Sequence, residues 1–207
     1  MSQPRLVLAT HNEHKVGELR AILLADEVGL PLTESEIVGA KDFGVPEPVE
    51  DGVTFAQNAL IKARALAKAT GLTAIADDSG LAVDVLGGAP GIFSARWAGK
   101  HGDDVANLEL LLAQLSDIAE EHRAARFMCA AAIVTPDGQE HVELGALEGT
   151  LLFEPRGEGG FGYDPILQPL GDTRSCAQLS SDEKNAISHR GQAFRLLVPH
   201  IVRLLGN

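Results

Sequence analysis

Two long apolar runs in the middle of the chain limit its possible folds more than any other segment. Residues 125–152, ARFMCAAAIVTPDGQEHVELGALEGTLL, read as two strands separated by Pro136-Asp137-Gly138. Pro, Asp and Gly favour a tight turn, and strands joined by so short a connection pair as an antiparallel hairpin. A sheet with at least one antiparallel pair is therefore predicted at the centre of the fold.

The start of the chain predicts a different kind of unit. Residues 6–9 read as a short buried strand, and a turn and a helix follow, with Val16, Leu19, Ile22 and Leu23 on one helix face. A strand followed by a helix is typical of a parallel crossover. Together with the hairpin, this unit predicts an α/β fold with a mixed sheet instead of a fully parallel one.

Three more helices are marked by their ends. In TFAQNALIKARALAKATG, Thr54 and Gln57 predict a capping box and Gly71 predicts the end of the helix. Its predicted apolar face consists of Phe55, Ala59, Ala63, Leu66 and Ala67. A helix over DDVANLELLLAQL is predicted to be capped near Asp103, and the last helix near Ser188. The apolar residues of that last helix are Ala193, Leu196, Leu197, Ile201, Leu204 and Leu205.

Length and charge limit the class of protein. The chain has 207 residues and no low-complexity linker, so one domain over residues 1–207 is predicted. A net charge of -12 argues against nucleic acid or anionic lipid as partners, but a local basic pocket can still bind a small polyphosphate. The longest apolar run, around residues 110–113, is too short to span a bilayer, so a cytoplasmic protein is expected. Cys129 and Cys176 have no metal-ligand spacing and are expected to be ordinary thiols.

Two adjacent acids follow a short apolar run in AIADDSG, residues 74–80. Side chains alternate between the faces of a strand, so Asp77 and Asp78 can serve one site only if the strand ends between them. Ser79 and Gly80 are predicted to form that turn. The acids then indicate either a Mg²⁺ site with a general base beside it, or an Asx turn with solvated carboxylates.

Polar residues also gather before the first two helices. The segment THNEHK, residues 10–15, precedes a helix N-terminus, where backbone N–H groups attract phosphate, and Lys15 there indicates an anionic ligand. The alternative is that Asn12 merely caps the helix. Glu50 and Asp51 precede the second helix, where acids also occur because they favour the helix dipole.

A glycine-rich loop, RGEGGFGYDP, occupies residues 156–165. Its glycines allow close backbone approach, and Phe161 and Tyr163 offer ring faces for a flat base, with Asp164 as an acceptor for ring N–H groups. Packing of the rings under the loop is the alternative use.

The segment SSDEKNAISHRGQAF places three basic residues close together in the sequence. Lys184, His189 and Arg190 can face one ligand only if the helix breaks near Ser188, because consecutive helical residues are 100° apart. A capped, solvated helix start is the alternative.

Taken in order, five motifs resemble those of the inosine triphosphate pyrophosphatase family. They are THNEHK, EDGVTFAQNALIKA, ADDSGLAVDVLGGAPGIFSARWAG, GGFGYDPIL and EKNAISHRGQA. The resemblance extends from about Leu6 to Leu205 and implies an elongated mixed sheet flanked by helices. It also implies two lobes with the substrate in the cleft between them, and a homodimer. The chain departs from the family pattern at Ala146 and Leu147, where relatives often carry a tryptophan.

The resemblance implies a chemistry as well. It is the Mg²⁺-dependent hydrolysis of ITP, dITP or XTP between the α and β phosphates, giving the nucleoside monophosphate and pyrophosphate. Asp78 is expected to be the general base on the attacking water, and the expected metal ligands are Glu50, Asp77 and Asp78. The expected substrate-binding residues are Thr10, His11, Asn12, Glu13, His14, Lys15, Ser79, Phe161, Gly162, Tyr163, Asp164, Lys184, His189 and Arg190. Within that set, those expected at the base are Phe161 to Asp164, His189 and Arg190, and those expected at phosphate oxygens are Thr10, Asn12, Lys15, Ser79 and Lys184.

Two other classes of protein fit part of the pattern. A pyrophosphatase for pyrimidine or methylated nucleotides shares the phosphate chemistry but does not need GFGYDP and SHRG. A nucleotide-binding sensor keeps the THNEHK loop but does not need the acids.

Overall fold

A computed structural model describes residues 3–10, 13–25 and 30–205 of the chain. Within these ranges the strands are β1 (Leu6–Leu8), β2 (Ile37–Gly39), β3 (Thr73–Val83), β4 (Ala124–Val134), β5 (Glu140–Leu151) and β6 (Leu167–Pro169). The α-helices of the same ranges are α1 (Glu13–Leu23), α2 (Phe55–Thr70), α3 (Asp104–Gln114), α4 (Ser181–Ile187) and α5 (His189–Leu205). Short 3-10 turns connect several of these elements.

The strands form one mixed sheet in the order β2-β1-β3-β4-β5-β6. Strand β1 pairs in parallel with β2 and β3, whereas β5 and β6 are antiparallel. At the predicted hairpin, β4 and β5 are neighbours, and the backbone N–H of Thr135 donates to the carbonyl of Gln139 at 2.9 Å. The α/β fold class with a mixed sheet is confirmed.

The ends of α2 and α3 follow the capping signals, with one exception. The Thr54 side chain accepts a hydrogen bond from the backbone of Gln57, and Gly71 ends α2 with a φ of 69°, a conformation that favours glycine. Asp103 caps α3 by accepting from Ala106. The predicted capping box of α2 forms only in half, because the Gln57 side chain accepts from the N–H of Val53 instead of reaching back to Thr54.

The predicted break near Ser188 separates α4 from α5. Ser188 has φ −62° and ψ 143°, an extended conformation that ends α4. The buried face of α5 runs through Phe194, Leu197 and Ile201. Leu196 lies off that face and is half exposed, so its assignment to the apolar stripe is wrong.

The chain divides into two compact units. Unit 1 comprises residues 1–78, 129–145 and 190–207, and unit 2 comprises residues 79–128 and 146–189. Three of the boundaries fall inside strands β3, β4 and β5, and another falls at the start of α5.

Unit 1 has helices on both faces of its part of the sheet. Ile75 and Ile133 belong to a cluster with residues of α1 and α5. Ala74, one position along β3, belongs to a second cluster with Ala63 and Leu66 of α2. This alternation is the period of two that a strand imposes on its side chains.

Unit 2 has its own core around α3. Leu111 and Leu115 pack with Leu81 and with apolar residues that include Tyr163 and Ile166. The side chain of Arg123 is buried in this unit and donates to the carbonyls of Leu115, Leu151 and Leu152 at 2.6 to 2.9 Å. These three bonds compensate its buried charge with carbonyl dipoles.

Both cysteines are buried and neither forms a disulfide. Burial raises the pKa of the Cys176 thiol to about 12, with the carboxylate of Asp164 adding to the effect. Across the described ranges, none of the helices combines the length and apolar character that crossing a membrane requires.

Candidate active site

Strand β3 carries both acids and continues past them. It is unbroken from Thr73 to Val83, so the predicted turn at Ser79 and Gly80 is wrong. Beyond the acids, Leu81 and Val83 resume the apolar alternation and are fully buried in unit 2. Burial of these two side chains keeps the backbone extended where the small residues alone favour a turn.

The two acids consequently have different partners on the two faces of β3. Asp77 lies on the same face of β3 as Ile75, which packs with α5. Oδ2 of Asp77 accepts a hydrogen bond from Nε of Arg190 at 3.1 Å. Both of these side chains are buried. Asp78 lies on the opposite face of β3, the face of Ala76, which packs with α2.

Two polar side chains of α2 contact Asp78. Nδ2 of Asn58 donates to Oδ2 of Asp78 at 3.1 Å. Nζ of Lys62 lies 3.7 Å from Oδ1 of Asp78 and 3.2 Å from Oε1 of Glu50. Asn58 and Lys62 are four residues apart and share a helix face. We refer to Glu50, Asp78, Asn58 and Lys62 as the acid cluster.

Gly52 attaches the segment that carries Glu50 to α2. Its backbone N–H donates to Oδ1 of Asn58 at 2.9 Å. A Cβ atom at this position would lie only 2.6 Å from that oxygen, so a side chain would displace Asn58. Glycine is therefore required for the close approach that places Glu50 beside Lys62.

The surroundings of Asp78 favour its protonated form. Burial raises the pKa of Asp78 above its ordinary value, and the charges of Glu50 and Asp77 add to the rise. Lys62 and the hydrogen bond from Asn58 act in the opposite direction. For Lys62, burial alone lowers the pKa, but the three carboxylates more than offset it and the net pKa is raised. A carboxylate with a raised pKa is a stronger base once ionised.

Replacement of Lys62 by methionine is expected to raise the pKa of Asp78 further. The substitution keeps most of the side-chain volume but removes the cation that lowers this pKa most. The pKa is measured by carboxyl ¹³C NMR titration of the full chain in the absence of divalent metal. Lys68→Met, on the exposed side of the same helix, is the matched control and should leave it unchanged. An equal or lower pKa in Lys62→Met would contradict this electrostatic account.

In unit 2, the glycine-rich loop is built around Asp164. Oδ2 of Asp164 accepts from the backbone N–H of Phe161 at 2.8 Å and from Nζ of Lys184 at 2.5 Å. Gly160 has a φ of 72°, and a Cβ there would lie 2.1 Å from the same oxygen. Asp164 is buried, so its carboxylate holds the loop and Lys184 together.

The two rings of this loop have different environments. Tyr163 is only 5% exposed, and its hydroxyl donates to the carbonyl of Ser94 at 2.9 Å. Its ring packs in the core of unit 2, which is the alternative considered above. Phe161 is 60% exposed, with Nζ of Lys184 at 4.9 Å from its ring centre. Gly162 donates its backbone N–H to Asp104 at 3.0 Å. Phe161 is therefore the ring of this loop that is exposed to solvent.

The remaining predicted residues are placed as follows. Thr10 is buried just after β1 in unit 1, and Ser79 is half buried within β3. His189 starts α5 and stacks on Phe127 with a centroid distance of 5.2 Å. His11 and Asn12 lie outside the described residues, and so do the side chains predicted to bind at positions 13–15.

Asn58 and Lys62 were not predicted from the sequence as site residues. A signal for them exists, because two polar residues four apart border the apolar face formed by Ala59 and Ala63. A buried amide, 2% exposed in the case of Asn58, requires a partner. The identity of that partner, Asp78, depends on the packing of α2 against β3.

Comparison with known proteins gives consistent matches along almost the whole chain. The profile of the Ham1 family matches residues 6–200. A protein of Streptomyces coelicolor named dITP/XTP pyrophosphatase is 65% identical, over 98% of this chain and 99% of its own. A crystal structure from Mycobacterium abscessus, titled nucleoside-triphosphatase / dITP/XTP pyrophosphatase, is 48% identical, with a TM-score of 0.78 over 94% of this chain and 99% of that one. A HAM1 protein from Coxiella burnetii is 40% identical, with a TM-score of 0.87 over 97% and 100% of the two chains.

Proposed function

Because this chain belongs to the Ham1 family, we propose that it hydrolyses non-canonical purine nucleoside triphosphates to the monophosphate and pyrophosphate. The observation that carries the proposal is the acid cluster, in which a partly buried carboxylate is held by an amide and an ammonium group. The names of the related proteins agree with it: the Streptomyces and Mycobacterium relatives are both called dITP/XTP pyrophosphatase. A sensor that binds a nucleotide without hydrolysing it does not need a general base.

Asp78 is the general base of the proposed reaction. Its carboxylate accepts a proton from water while the water oxygen bonds to the α phosphorus. The bond from the α phosphorus to the oxygen that bridges the α and β phosphates breaks. Pyrophosphate leaves with the bridging oxygen. Asn58 fixes the orientation of the carboxylate, and Lys62 favours its ionised state. Positioning of this kind matters because a base acts only within hydrogen-bond reach of the proton it removes.

The acid cluster also fits the Mg²⁺ that the family resemblance implies. Its carboxylates supply the hard oxygen ligands that Mg²⁺ prefers, and burial, with a smaller effect of the neighbouring carboxylates, raises the pKa of Asp78, so a bound cation would favour the ionised form of this carboxylate. Glu50 and Asp78 are the residues proposed to hold the ion. Asp77 stays a prediction as a ligand, but it lies on the other face of the unbroken strand β3 and one of its oxygens is paired to Arg190, so sharing the ion with Asp78 would require the strand to distort between the two acids. When bound, Mg²⁺ supplies positive charge that offsets the negative charge of the phosphates.

The loop around Asp164 is proposed to bind the purine base. Phe161 offers an exposed ring face, and Asp164 fixes the backbone next to it. Lys184 lies against the same ring, so its predicted contact with phosphate requires it to leave Asp164 or to bridge both groups.

Phe161→Ala is expected to raise KM for dITP while kcat changes little. Stacking of a base on an aromatic ring contributes about 1–3 kcal/mol, which corresponds to roughly 5- to 150-fold in affinity. Steady-state kinetics with dITP and XTP measure the effect. Phe153→Ala removes another exposed ring of unit 2, which lies over Arg123, and should leave KM near the wild-type value. Similar KM values in the two variants would place the base elsewhere.

Product analysis tests the function directly. The full chain is incubated with ITP, dITP and XTP, in Mg²⁺ or in EDTA, and the products are separated by ion-exchange chromatography. We expect monophosphate and pyrophosphate in a 1:1 ratio, and loss of turnover in EDTA. Nucleoside diphosphate and orthophosphate as products would contradict the proposed bond cleavage. Unchanged turnover in EDTA would contradict only the proposed requirement for Mg²⁺.

The family resemblance supports two further proposals, that the protein is a homodimer and that it is located in the cytoplasm. Light scattering after size-exclusion chromatography tests the first, with twice the 21.8 kDa chain mass expected. Cell fractionation tests the second.

A further inference from the structure

Two histidines and a glutamate of unit 1 converge on one point away from the acid cluster. Nε2 of His141 lies 2.7 Å from Oε1 of Glu143, and Nε2 of His200 lies 3.4 Å from the same oxygen. The two imidazole rings are stacked with centroids 3.4 Å apart and an interplanar angle of 15°. Three donor atoms thus come together from a strand and a helix.

The fold explains why these side chains meet. His141 and Glu143 are two residues apart on β5, so they point to the same face of the strand. Val142 between them packs with the cluster on the α2 face, which puts both on the opposite face. His200 belongs to α5, whose apolar residues pack on the face of the sheet opposite α2.

We propose that His141, Glu143 and His200 form a binding site for a Zn²⁺-class transition metal ion, separate from the catalytic acids. Their donor atoms all lie within 4.8 Å of one another. Ligands of a tetrahedral ion at distances of about 2.0–2.2 Å are roughly 3.3 Å apart, close to the separations of the Nε2 atoms from Oε1 of Glu143. Binding requires the two rings to turn out of their parallel stack, so that both Nε2 lone pairs point at the ion.

The donor set determines the metal. Imidazole nitrogen suits zinc and its neighbours, whereas Mg²⁺ prefers oxygen ligands throughout. Two histidines and one glutamate are the three protein ligands of several zinc sites, and they leave a fourth position for water. The side chains of His141, Glu143 and His200 are 26–32% exposed, so an ion can reach them from solvent.

The surroundings of the site are compatible with an ion. Nη2 of Arg203 lies 3.4 Å from Nδ1 of His200, on the far edge of the ring, which leaves Nε2 directed towards Glu143. Ligation through Nε2 puts the ring hydrogen on Nδ1, so the contact with the exposed Arg203 opens when the ion binds. A bound ion would link β5 to α5, and it would therefore stabilise the folded chain.

The test measures Zn²⁺ binding to the full chain by competition with a chromophoric chelator, in excess Mg²⁺ to occupy the acid cluster. We expect one tightly bound Zn²⁺ per chain, and at least tenfold weaker binding in His141→Gln, His200→Gln and Glu143→Gln. His122→Gln is the matched control. This histidine also lies near a glutamate, Glu121, at 3.8 Å, but in an exposed turn of unit 2, and the variant should bind as the wild type does.

A second readout identifies the ligands independently of catalysis. Co²⁺ bound in place of Zn²⁺ should give the visible absorption of a four-coordinate site, and this absorption should be lost in His141→Gln and His200→Gln. Zn²⁺ should raise Tm in the wild type and in His122→Gln but not in the ligand variants. Wild-type affinity in the ligand variants, or binding lost in Asp78→Asn instead, would overturn the proposal. Circular dichroism establishes that each variant is folded, and the partly exposed Glu143→Gln keeps side-chain size.

Discussion

Asp78→Asn is expected to lose about 10²–10⁴-fold in kcat with an unchanged fold. The amide has nearly the shape of the carboxylate but cannot accept a proton from water. It is also a poor ligand for Mg²⁺. Nδ2 of Asn58 can still donate to the remaining carbonyl oxygen, and the neutral amide avoids the burial cost, and to a smaller extent the repulsion, that raise the pKa of Asp78. Stability should therefore stay equal or increase while catalysis falls.

The measurement combines pyrophosphate release from dITP with thermal unfolding of the same preparations. Asp117→Asn makes the same chemical change on an exposed residue of unit 2 and should retain wild-type kcat. If folded Asp78→Asn kept wild-type kcat, Asp78 would be a structural residue of β3 and the proposed base would have to lie elsewhere. A large loss of stability in Asp78→Asn would show that its carboxylate supports the fold.

Local signals predicted much of the fold because they act over a few residues. The caps of α2 and α3, the hairpin at Pro136-Asp137-Gly138 and the break at Ser188 each depend on backbone preferences of neighbouring side chains. Such preferences do not require knowledge of the tertiary structure. They were overridden at Ser79 and Gly80, where burial of residues further along β3 keeps the strand extended.

The candidate site was less predictable because its contacts are between distant parts of the chain. Asp78 and Asn58 are 20 residues apart, and Asp77 and Arg190 are 113 apart. The sequence indicated the acids themselves, since carboxylates after an apolar run are unusual in a buried strand. It did not indicate that one acid faces α2 and the other α5. That outcome follows from the alternation of side chains once β3 runs through both positions.

The roles of the loop residues show the same limit. Phe161 and Tyr163 are both aromatic and two residues apart, and the sequence offered no reason to treat them differently. The buried hydroxyl of Tyr163 needs a partner and has one in the carbonyl of Ser94, a contact between residues 69 positions apart that the sequence does not reveal. Phe161 has no polar group that disfavours burial, so its exposure reflects the backbone of the loop, which Asp164 holds in place.

Selectivity for the base is expected to be strong against ATP. Hypoxanthine and xanthine carry a 6-oxo acceptor where adenine carries an amino donor, so N–H donors at that edge pair with the first two only. The candidates for these donors are Arg190, His189 and backbone N–H groups. ATP leaves such donors unpaired, and a site built to hydrogen-bond one group can reject its mismatch by as much as about 10⁴-fold.

GTP is a harder case, because guanine shares the 6-oxo group. It can be refused only at its 2-amino group, where the site must still admit the 2-oxo group of xanthine. We therefore expect a smaller discrimination against GTP than against ATP. Ribose and deoxyribose forms should differ little, since we find no residue among those placed at the site that reads the 2′ position.

The decisive measurement is kcat/KM for ITP, dITP, XTP, GTP, ATP and a pyrimidine triphosphate with excess Mg²⁺. If kcat/KM for ATP or for the pyrimidine triphosphate equalled that for ITP, the assignment of the base-binding residues would be contradicted. Arg190 is the donor to test first, but its side chain is buried against Asp77, and truncation would leave a buried charge unpaired. Arg190→Lys keeps that charge and removes the planar group, so the ITP-to-ATP ratio should fall through poorer ITP turnover. Arg195→Lys, on the same helix, makes the matched change outside the expected site and should keep the ratio. An unchanged ratio in folded Arg190→Lys would assign the discriminating donor to His189 or to the backbone.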